Sequence, residues 1–311
     1  MATEHLPVMF EETLAALDLG PEDTVVDATF GGGGHSRGIL KKLGAGGRLF
    51  AVDRDPEAAG RASGFLQDPR FGFVSGAYDQ VLWAMVEDGR RVDAVLFDLG
   101  LSSFQIDEPG RGFSYVREGP LDMRMDTSSG YSAEEFLNTV EAGELARVLS
   151  EYGDVPRGEA RRVAREVVRR RPLRVTTDLH DAVRAAVGWK ERGGNPAKRV
   201  FQAVRVRVND ELGGLGRALE ATEHLLSPGG RLVVITFHSG EDRLVKRFIS
   251  EREGRCVCPP EFPVCVCGAR PIFRRGVVEK PSERELERNP RSASARLRSA
   301  IRTAEPPGDG A

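Results

Sequence analysis

The sequence predicts an α/β protein with a doubly wound, mostly parallel sheet and a helical insertion. Between residues 24 and 98, short runs rich in β-branched residues alternate with helical segments, a pattern typical of parallel sheets. Four consecutive glycines, Gly31 to Gly34, follow the first run. The alternation stops after residue 98 and resumes near residue 201, which indicates that an insertion divides one α/β domain.

Length and composition indicate a soluble globular protein. The chain has 311 residues, 40% of them hydrophobic and 30% charged, which fits about two globular domains. Its four cysteines all lie between residues 256 and 267, so no distributed disulfide framework is predicted. We find no apolar run of membrane-spanning length and no signal peptide, and we therefore expect a cytoplasmic protein without membrane contact.

The net charge of −2 conceals a division between the two halves of the chain. Residues 1–156 carry 13 Lys and Arg against 27 Asp and Glu, whereas residues 157–311 carry 32 against 20. A basic half predicts a polyanionic partner, nucleic acid first of all. An ordinary solvated surface is the alternative that charge alone leaves open.

The strand ends in the first half bring polar residues to one edge of the sheet. We predict strands at Thr24–Thr29, Arg48–Asp53, Phe71–Ser75 and Val92–Asp98, with helices at Glu11–Leu17, Ser36–Lys42 and Pro56–Leu66. In parallel sheets, ligands bind outside the carboxyl ends of the strands. Asp27, Asp53, Tyr78 and Asp98 lie at or just past those ends, which predicts a ligand site there.

The glycine run and Asp53 indicate a cofactor that contains a nucleoside. Asp53 stands about 20 residues beyond the glycines, where doubly wound folds place a carboxylate for ribose hydroxyls. The run lacks the G-x-G-x-x-G spacing of dinucleotide sites, and Asp27 before it suits a cationic ligand better than a pyrophosphate. We therefore predict S-adenosylmethionine, with a nicotinamide dinucleotide or a ligand-free turn as alternatives.

Helical patterns predominate in the insertion, and α/β patterns return after it. In the insertion we predict a capping box at Ser132–Glu135 and helices at Glu159–Arg170 and Asp178–Val187. Beyond it we predict a mostly helical stretch at Phe201–Leu226, a turn at Ser227–Gly230, a strand at Arg231–Phe237 and a helix at Glu241–Glu251. The predicted domains are residues 1–107 with 201–303, a substrate-recognition insertion at 108–200, and a disordered tail at 304–311.

Three further segments carry possible chemistry. His238 ends the last predicted strand, so it either contacts substrate or serves an ordinary structural role. Cys256, Cys258, Cys265 and Cys267 form C-x-C-x6-C-x-C, which predicts either a zinc site of tighter than usual spacing or reduced cysteines in a loop. Arg291–Arg302 is either a late strand or a substrate-contacting arm.

The combined motifs resemble one family, that of bacterial ribosomal RNA small subunit methyltransferase H, also called MraW. They follow the family's order from residue 5 to about residue 298, and the segment Gly119–Asp126 is especially specific. The matching stretches are His5–Met9, Asp27–Ser36, Ala51–Pro56, Asp98–Ser103 with Gln105 and Asp107, Arg111–Ser114, Gly119–Asp126, Phe201–Ala203, Phe237–Ser239 with Glu241–Arg243, and Asn289–Ser292.

The resemblance implies a Rossmann-like, S-adenosylmethionine-dependent methyltransferase. Its implied substrate is N4 of a cytosine in the decoding region of 16S rRNA, so its partner is 16S rRNA or the small ribosomal subunit. The implied cofactor-binding residues are Gly33, Gly34, His35, Asp53, Tyr78, Asp98 and Gln105. Gly240 stands where the family usually has Leu, and other members can have Phe at the position of Tyr78. The resemblance implies no metal, and we assign no catalytic residue and no oligomeric state.

Other functions are weighed against this one. A DNA amino-methyltransferase is disfavoured because the Pro-Pro-aromatic motif expected after the fourth strand is absent. A nicotinamide-dependent oxidoreductase and a non-catalytic RNA-binding protein are the remaining alternatives. Arg157–Arg174 holds eight arginines and two acids, which predicts a surface for rRNA phosphates. Pairing of these arginines with acids of the N-terminal half is the alternative to RNA contact.

Overall fold

A computed structural model describes residues 7–188, 195–254 and 271–303. The chain forms two compact units, residues 1–100 with 213–311, and residues 101–212. The sequence predicted boundaries after residues 107 and 200, whereas the compact units divide after residues 100 and 212. The substrate-recognition role of the insertion stays a prediction. The cysteine segment, the tail at 304–311, and His5 and Leu6 lie outside the described residues.

The sheet of the first unit has the predicted doubly wound, mostly parallel architecture. Its strands follow the order β3-β2-β1-β4-β5-β7-β6, and β7 runs antiparallel to both of its neighbours. The strands are β1 Thr24–Asp27, β2 Arg48–Asp53, β3 Phe71–Ser75, β4 Val92–Asp98, β5 Leu226–Thr236, β6 Phe273–Glu279 and β7 Arg296–Arg302.

Helices cover both faces of this sheet and build most of the second unit. Among the described residues, no helix is both apolar and long enough to span a membrane. The α-helices are α1 Phe10–Leu17, α2 Gly34–Lys42, α3 Pro56–Ala62, α4 Tyr78–Glu87, α5 Ser103–Asp107, α6 Ala133–Thr139, α7 Ala142–Gly153, α8 Arg157–Arg170, α9 Thr176–Val187, α10 Ala197–Val208, α11 Glu211–Leu225, α12 Ser239–Arg252 and α13 Glu283–Arg288.

Side chains of the central strands point alternately to the two faces of the sheet, which divides the apolar core of the first unit into two layers. Val26, Phe97 and Val234 belong to one buried cluster, whereas their neighbours Val25 and Ile235 belong to the cluster on the opposite face. Successive strand residues point to opposite faces, so both faces of this sheet are apolar. That two-sided burial explains why these strands read as continuous apolar runs.

The second unit packs its own apolar core. Val163, Ala164 and Val167 of α8 are buried, and they join residues of α6, α7, α9 and α10 in one cluster. The predicted capping box is confirmed, because the Ser132 hydroxyl accepts from Glu135 N while the Glu135 carboxylate accepts from Ser132 N.

The structure differs from the sequence prediction in two places before and within β5. The predicted helix at 201–226 is two helices, because Asp210 between them takes a left-handed backbone with φ of 48°. The predicted turn at Ser227–Gly230 lies within β5, where it interrupts the regular pairing of β5 with β4. Leu226 pairs with Val92, and Arg231 pairs with Ala94, so four residues of β5 bulge opposite one residue of β4.

Candidate cofactor site

Three aspartates reach the same face and the same edge of the sheet at the ends of β1, β2 and β4. Asp27, Asp53 and Asp98 each lie two residues beyond a member of one buried cluster, respectively Val25, Ala51 and Leu96. Side chains two apart in a strand share a face, and parallel strands end at a common edge. The strand order reverses between β1 and β4, which is where α/β sheets bind ligands.

The glycine run is required by packing as well as by backbone conformation. Gly33 has φ of 76°, and a Cβ there would lie 2.6 Å from Cζ of Phe65. A Cβ on Gly34 would lie 2.4 Å from Cγ of Pro7. These contacts hold the amino end of α2 at the sheet edge, where the first N–H groups of a helix lack intrahelical partners.

Asp27 is a buried hydrogen-bond acceptor that stabilises the glycine loop. Its side chain is 1% exposed and accepts hydrogen bonds from Ser36 Oγ at 2.6 Å and from Thr29 N at 3.2 Å. Burial raises the pKa of Asp27 despite these hydrogen bonds. The sequence suggested that this acid suits a cationic ligand, but the structure places it as a support for the loop.

Asp53 joins the glycine loop to the end of β2. Its two carboxylate oxygens accept from Gly31 N at 2.7 Å and from Asp55 N at 2.9 Å. Asp53 is half-buried, and burial raises its pKa. Each carboxylate oxygen has a second lone pair, so the group can still accept hydrogen bonds from two ligand hydroxyls.

Buried His35 and half-buried Asp98 form a pair at the same edge of the sheet as Asp53. His35 Nε2 lies 3.4 Å from Asp98 Oδ2, and Asp98 N donates to Thr29 Oγ1 at 2.6 Å. Burial alone would lower the pKa of His35, but the nearby carboxylates of Asp98, Asp27 and Glu285 raise it above its usual value. This pair places an imidazole and a carboxylate together at the strand edge.

Nδ1 of His35 and Oδ1 of Asp98 are buried without a hydrogen-bond partner among the described residues. Buried polar atoms usually have partners, so these two atoms indicate a polar ligand. The amino-acid end of S-adenosylmethionine carries an ammonium and a carboxylate. A histidine and an aspartate fit that pair of charges, and Asp53 fits a ribose.

The remaining two predicted cofactor residues lie in different units. Tyr78 begins α4 in the first unit, and its ring makes an edge-to-face contact with Phe97 at 5.6 Å between centroids. Gln105 lies in α5 of the second unit, where its Oε1 accepts from Ser102 N at 3.1 Å in a capping box. Cofactor contact by either residue stays a prediction.

His238 caps α12. Its Nδ1 accepts from Gly240 N at 3.2 Å, and its Nε2 lies 3.2 Å from Glu241 Oε1. Both ring nitrogens thus face groups of the same helix, which favours the structural role over substrate contact. Sequence reasoning assigned no capping role to Glu241, although its position three residues after His238 was the available signal for a reciprocal cap.

The basic segment Arg291–Arg302 is mainly a strand. Arg296 and Arg298 both bind the carboxylate of Asp242, Arg298 through two hydrogen bonds of 2.7 and 3.1 Å. Arg302 is fully buried, and it donates to the carbonyls of Glu223 and Ile272. These three arginines stabilise the sheet, so the late-strand interpretation is correct for them.

The chain is similar to known methyltransferases along its whole length. The MraW methylase family matches residues 2–303. Ribosomal RNA small subunit methyltransferase H of Rubrobacter xylanophilus is 72% identical over 305 residues, which cover 98% of each chain. The proteins of the same name from Heliobacterium modesticaldum and Halorhodospira halophila are 45% and 47% identical, over 96% and 97% of this chain and 99% and 95% of their own.

Proposed function

The chain belongs to the MraW methylase family, and from this premise we propose that it methylates N4 of a cytosine in the decoding region of 16S rRNA. It is a methyltransferase of small-subunit ribosomal RNA, and its methyl donor is S-adenosylmethionine. The N4 position follows the activity that the sequence motifs imply. The structural observation that carries the proposal is the set of Asp53, His35 and Asp98 at one edge of the sheet.

We assign the donor to residues of the first unit according to their chemistry. Asp53 would hold the ribose hydroxyls, and the pair His35 and Asp98 would hold the amino-acid end. Gly33 and Gly34 would let the donor approach the backbone closely. When bound, S-adenosylmethionine supplies a methyl group made electrophilic by a sulfonium. The unpartnered polar atoms of His35 and Asp98 support this assignment.

The remaining task of the protein is to orient an amine and exclude water. The exocyclic amine of cytosine is a poor nucleophile because its lone pair is shared with the ring. A fixed strand edge lowers the barrier by holding that amine in line for displacement and by stabilising the charge that builds on N4. The target base must leave its stack to reach such an edge.

The alternative functions receive no support from the comparisons. A nicotinamide-dependent oxidoreductase and a DNA amino-methyltransferase both conflict with full-length identity of 72% to a ribosomal RNA methyltransferase. Binding of S-adenosylmethionine and of NAD, measured side by side by calorimetry, tests the first alternative. Methyl transfer to cytosines in DNA and in 16S rRNA tests the second.

The exposed face of α8 is a candidate surface for rRNA phosphates. Arg161 and Arg165 are exposed, and no acid lies within ion-pair distance of either in the described part of the chain. Arg169 differs from them, because it binds Glu166 at 2.6 Å. Arg169 and Arg170 together hold the pKa of Glu166 at about 2. Arg161 and Arg165 therefore support the phosphate hypothesis better than Arg169 does.

Replacing Arg161 and Arg165 together by Gln is expected to weaken rRNA binding and to flatten its salt dependence. For each phosphate that the protein no longer neutralises, the slope of log affinity against log salt should fall by about 0.7–0.9. Binding of S-adenosylmethionine should not change. Filter binding of 16S rRNA at several salt concentrations measures the slope.

Arg147→Gln in α7 is the matched control for this change. Arg147 is exposed but pairs with Glu144 and Glu151 of its own helix, so its removal should leave the slope unaltered. A wild-type slope in the Arg161 and Arg165 double variant, accompanied by lower thermal stability, would favour a purely structural role for α8.

A further inference from the structure

An aromatic side chain lies beside the end of β4. Phe237 follows the last residue of β5, and its ring packs against the same buried cluster as Ile235. Ile235 pairs directly with Asp98 in the parallel register of β4 and β5. Phe237 is therefore on the face of the sheet that carries Asp98, one strand away from it.

Gly100 keeps the exit of β4 close to this ring. It has φ of 94°, and a Cβ there would lie 3.3 Å from Cδ2 and 3.7 Å from Cγ of Phe237. Leu99 and Gly100, the two residues that follow Asp98, are not aromatic. Phe237 supplies the aromatic ring beside this exit of β4.

A buried carboxylate holds the backbone of Phe237 in place. Glu241 is 2% exposed, and its Oε2 accepts from Phe237 N at 2.7 Å and from His238 N at 3.2 Å. The His238 ring, which accepts from Gly240 N, fixes the same turn. Phe237 itself is only half-buried, so a partly exposed ring on a hydrogen-bonded backbone lies near the strand edge.

We propose that Phe237 is the surface on which the target cytosine stacks during methyl transfer. The proposal deepens the proposed function and depends on it. Enzymes that modify a base within a nucleic acid take the base out of its stack and hold it against aromatic or apolar side chains. A ring whose backbone is already fixed loses little freedom when the base binds. Next to Asp98, it would hold the base at the edge assigned to the methyl donor.

Phe237→Leu tests the proposal, because leucine keeps an apolar side chain but has no π-face. We expect kcat/KM for unmethylated small ribosomal subunits to fall by about 5- to 150-fold, the range measured for loss of one base-stacking ring. Phe237→Tyr keeps the ring and should stay within about threefold of wild type. The Kd for S-adenosylmethionine and the melting temperature should be unchanged in the Tyr variant.

Phe73→Leu provides a matched control. Phe73 is also half-buried and packs against the same cluster, but it lies in β3, away from β5. Its replacement should affect thermal stability rather than kcat/KM for rRNA. Wild-type kcat/KM in Phe237→Leu would overturn the proposal.

If Phe237→Leu folds poorly, Phe237→Tyr and Phe237→Trp test the proposal in its place. Both variants keep a stacking ring, so both should methylate rRNA. An equal loss of kcat/KM in all three variants, with melting temperatures that fall in parallel, would make Phe237 a purely structural residue. Absence of rRNA methylation by the wild-type protein would instead reject the proposed function itself.

Discussion

Asp53→Ala is expected to weaken S-adenosylmethionine binding by about 1.5–3 kcal/mol for each charged hydrogen bond removed. If both ribose hydroxyls bind this carboxylate, the Kd should rise by about two to four orders of magnitude. Among the changes considered, this one should have the largest effect on cofactor binding. Isothermal titration calorimetry measures it directly, and an unchanged Kd would reject the assignment of Asp53.

A control must separate ribose contact from support of the loop, because Asp53 also accepts from Gly31 N and Asp55 N. Ser36→Ala removes the hydrogen bond from Ser36 Oγ to Asp27 and so disturbs the same loop without touching Asp53. We expect it to lower the free energy of unfolding by about 1–3 kcal/mol and to change the Kd less than Asp53→Ala does.

Gly33→Ala is expected to lower the free energy of unfolding by about 2–6 kcal/mol, the sum of backbone strain and overpacking. The φ of 76° at Gly33 strains any residue with a Cβ, and that Cβ would lie 2.6 Å from Phe65 and 2.7 Å from Phe30. Left-handed strain costs about 1–3 kcal/mol, and overpacking adds about 1–3 kcal/mol. Chemical denaturation measures the decrease.

Gly60→Ala is the matched control for Gly33→Ala. Gly60 lies in α3, and a Cβ there would have no atom within 4 Å. Alanine should therefore stabilise the protein by about 0.4–1 kcal/mol. Equal denaturation midpoints for the two variants would contradict the packing account of the glycine loop.

Strands with largely apolar sequences could be predicted with nearly correct bounds. β2, β3 and β4 begin and end at the predicted residues, because each is a short apolar run bounded by turn residues. β6 was missed because two arginines and a glycine separate its apolar residues. Of its seven residues only Phe273 is buried, so Phe273–Glu279 lacks a clear apolar pattern.

The positions of the site residues could be predicted from the sequence, but the hydrogen bonds that each of them makes could not. Strand ends and a glycine run place Asp27, Asp53 and Asp98 at one edge. Nothing in the sequence indicates that Ser36 Oγ donates to an oxygen of Asp27, or that Gly240 N donates to Nδ1 of His238. Those roles depend on hydrogen bonds formed only after the turns have folded.

The most direct test of the proposed function is methyl transfer to N4 of a cytosine in 16S rRNA. Purified protein should be incubated with methyl-labelled S-adenosylmethionine and small ribosomal subunits, or free 16S rRNA, that lack this modification. We expect mass spectrometry of the digested RNA to find N4-methylcytidine in a decoding-region fragment, and Asp53→Ala to lose most of that product at limiting donor. Label on another atom or outside that region, or no label on either RNA substrate, would contradict the proposal.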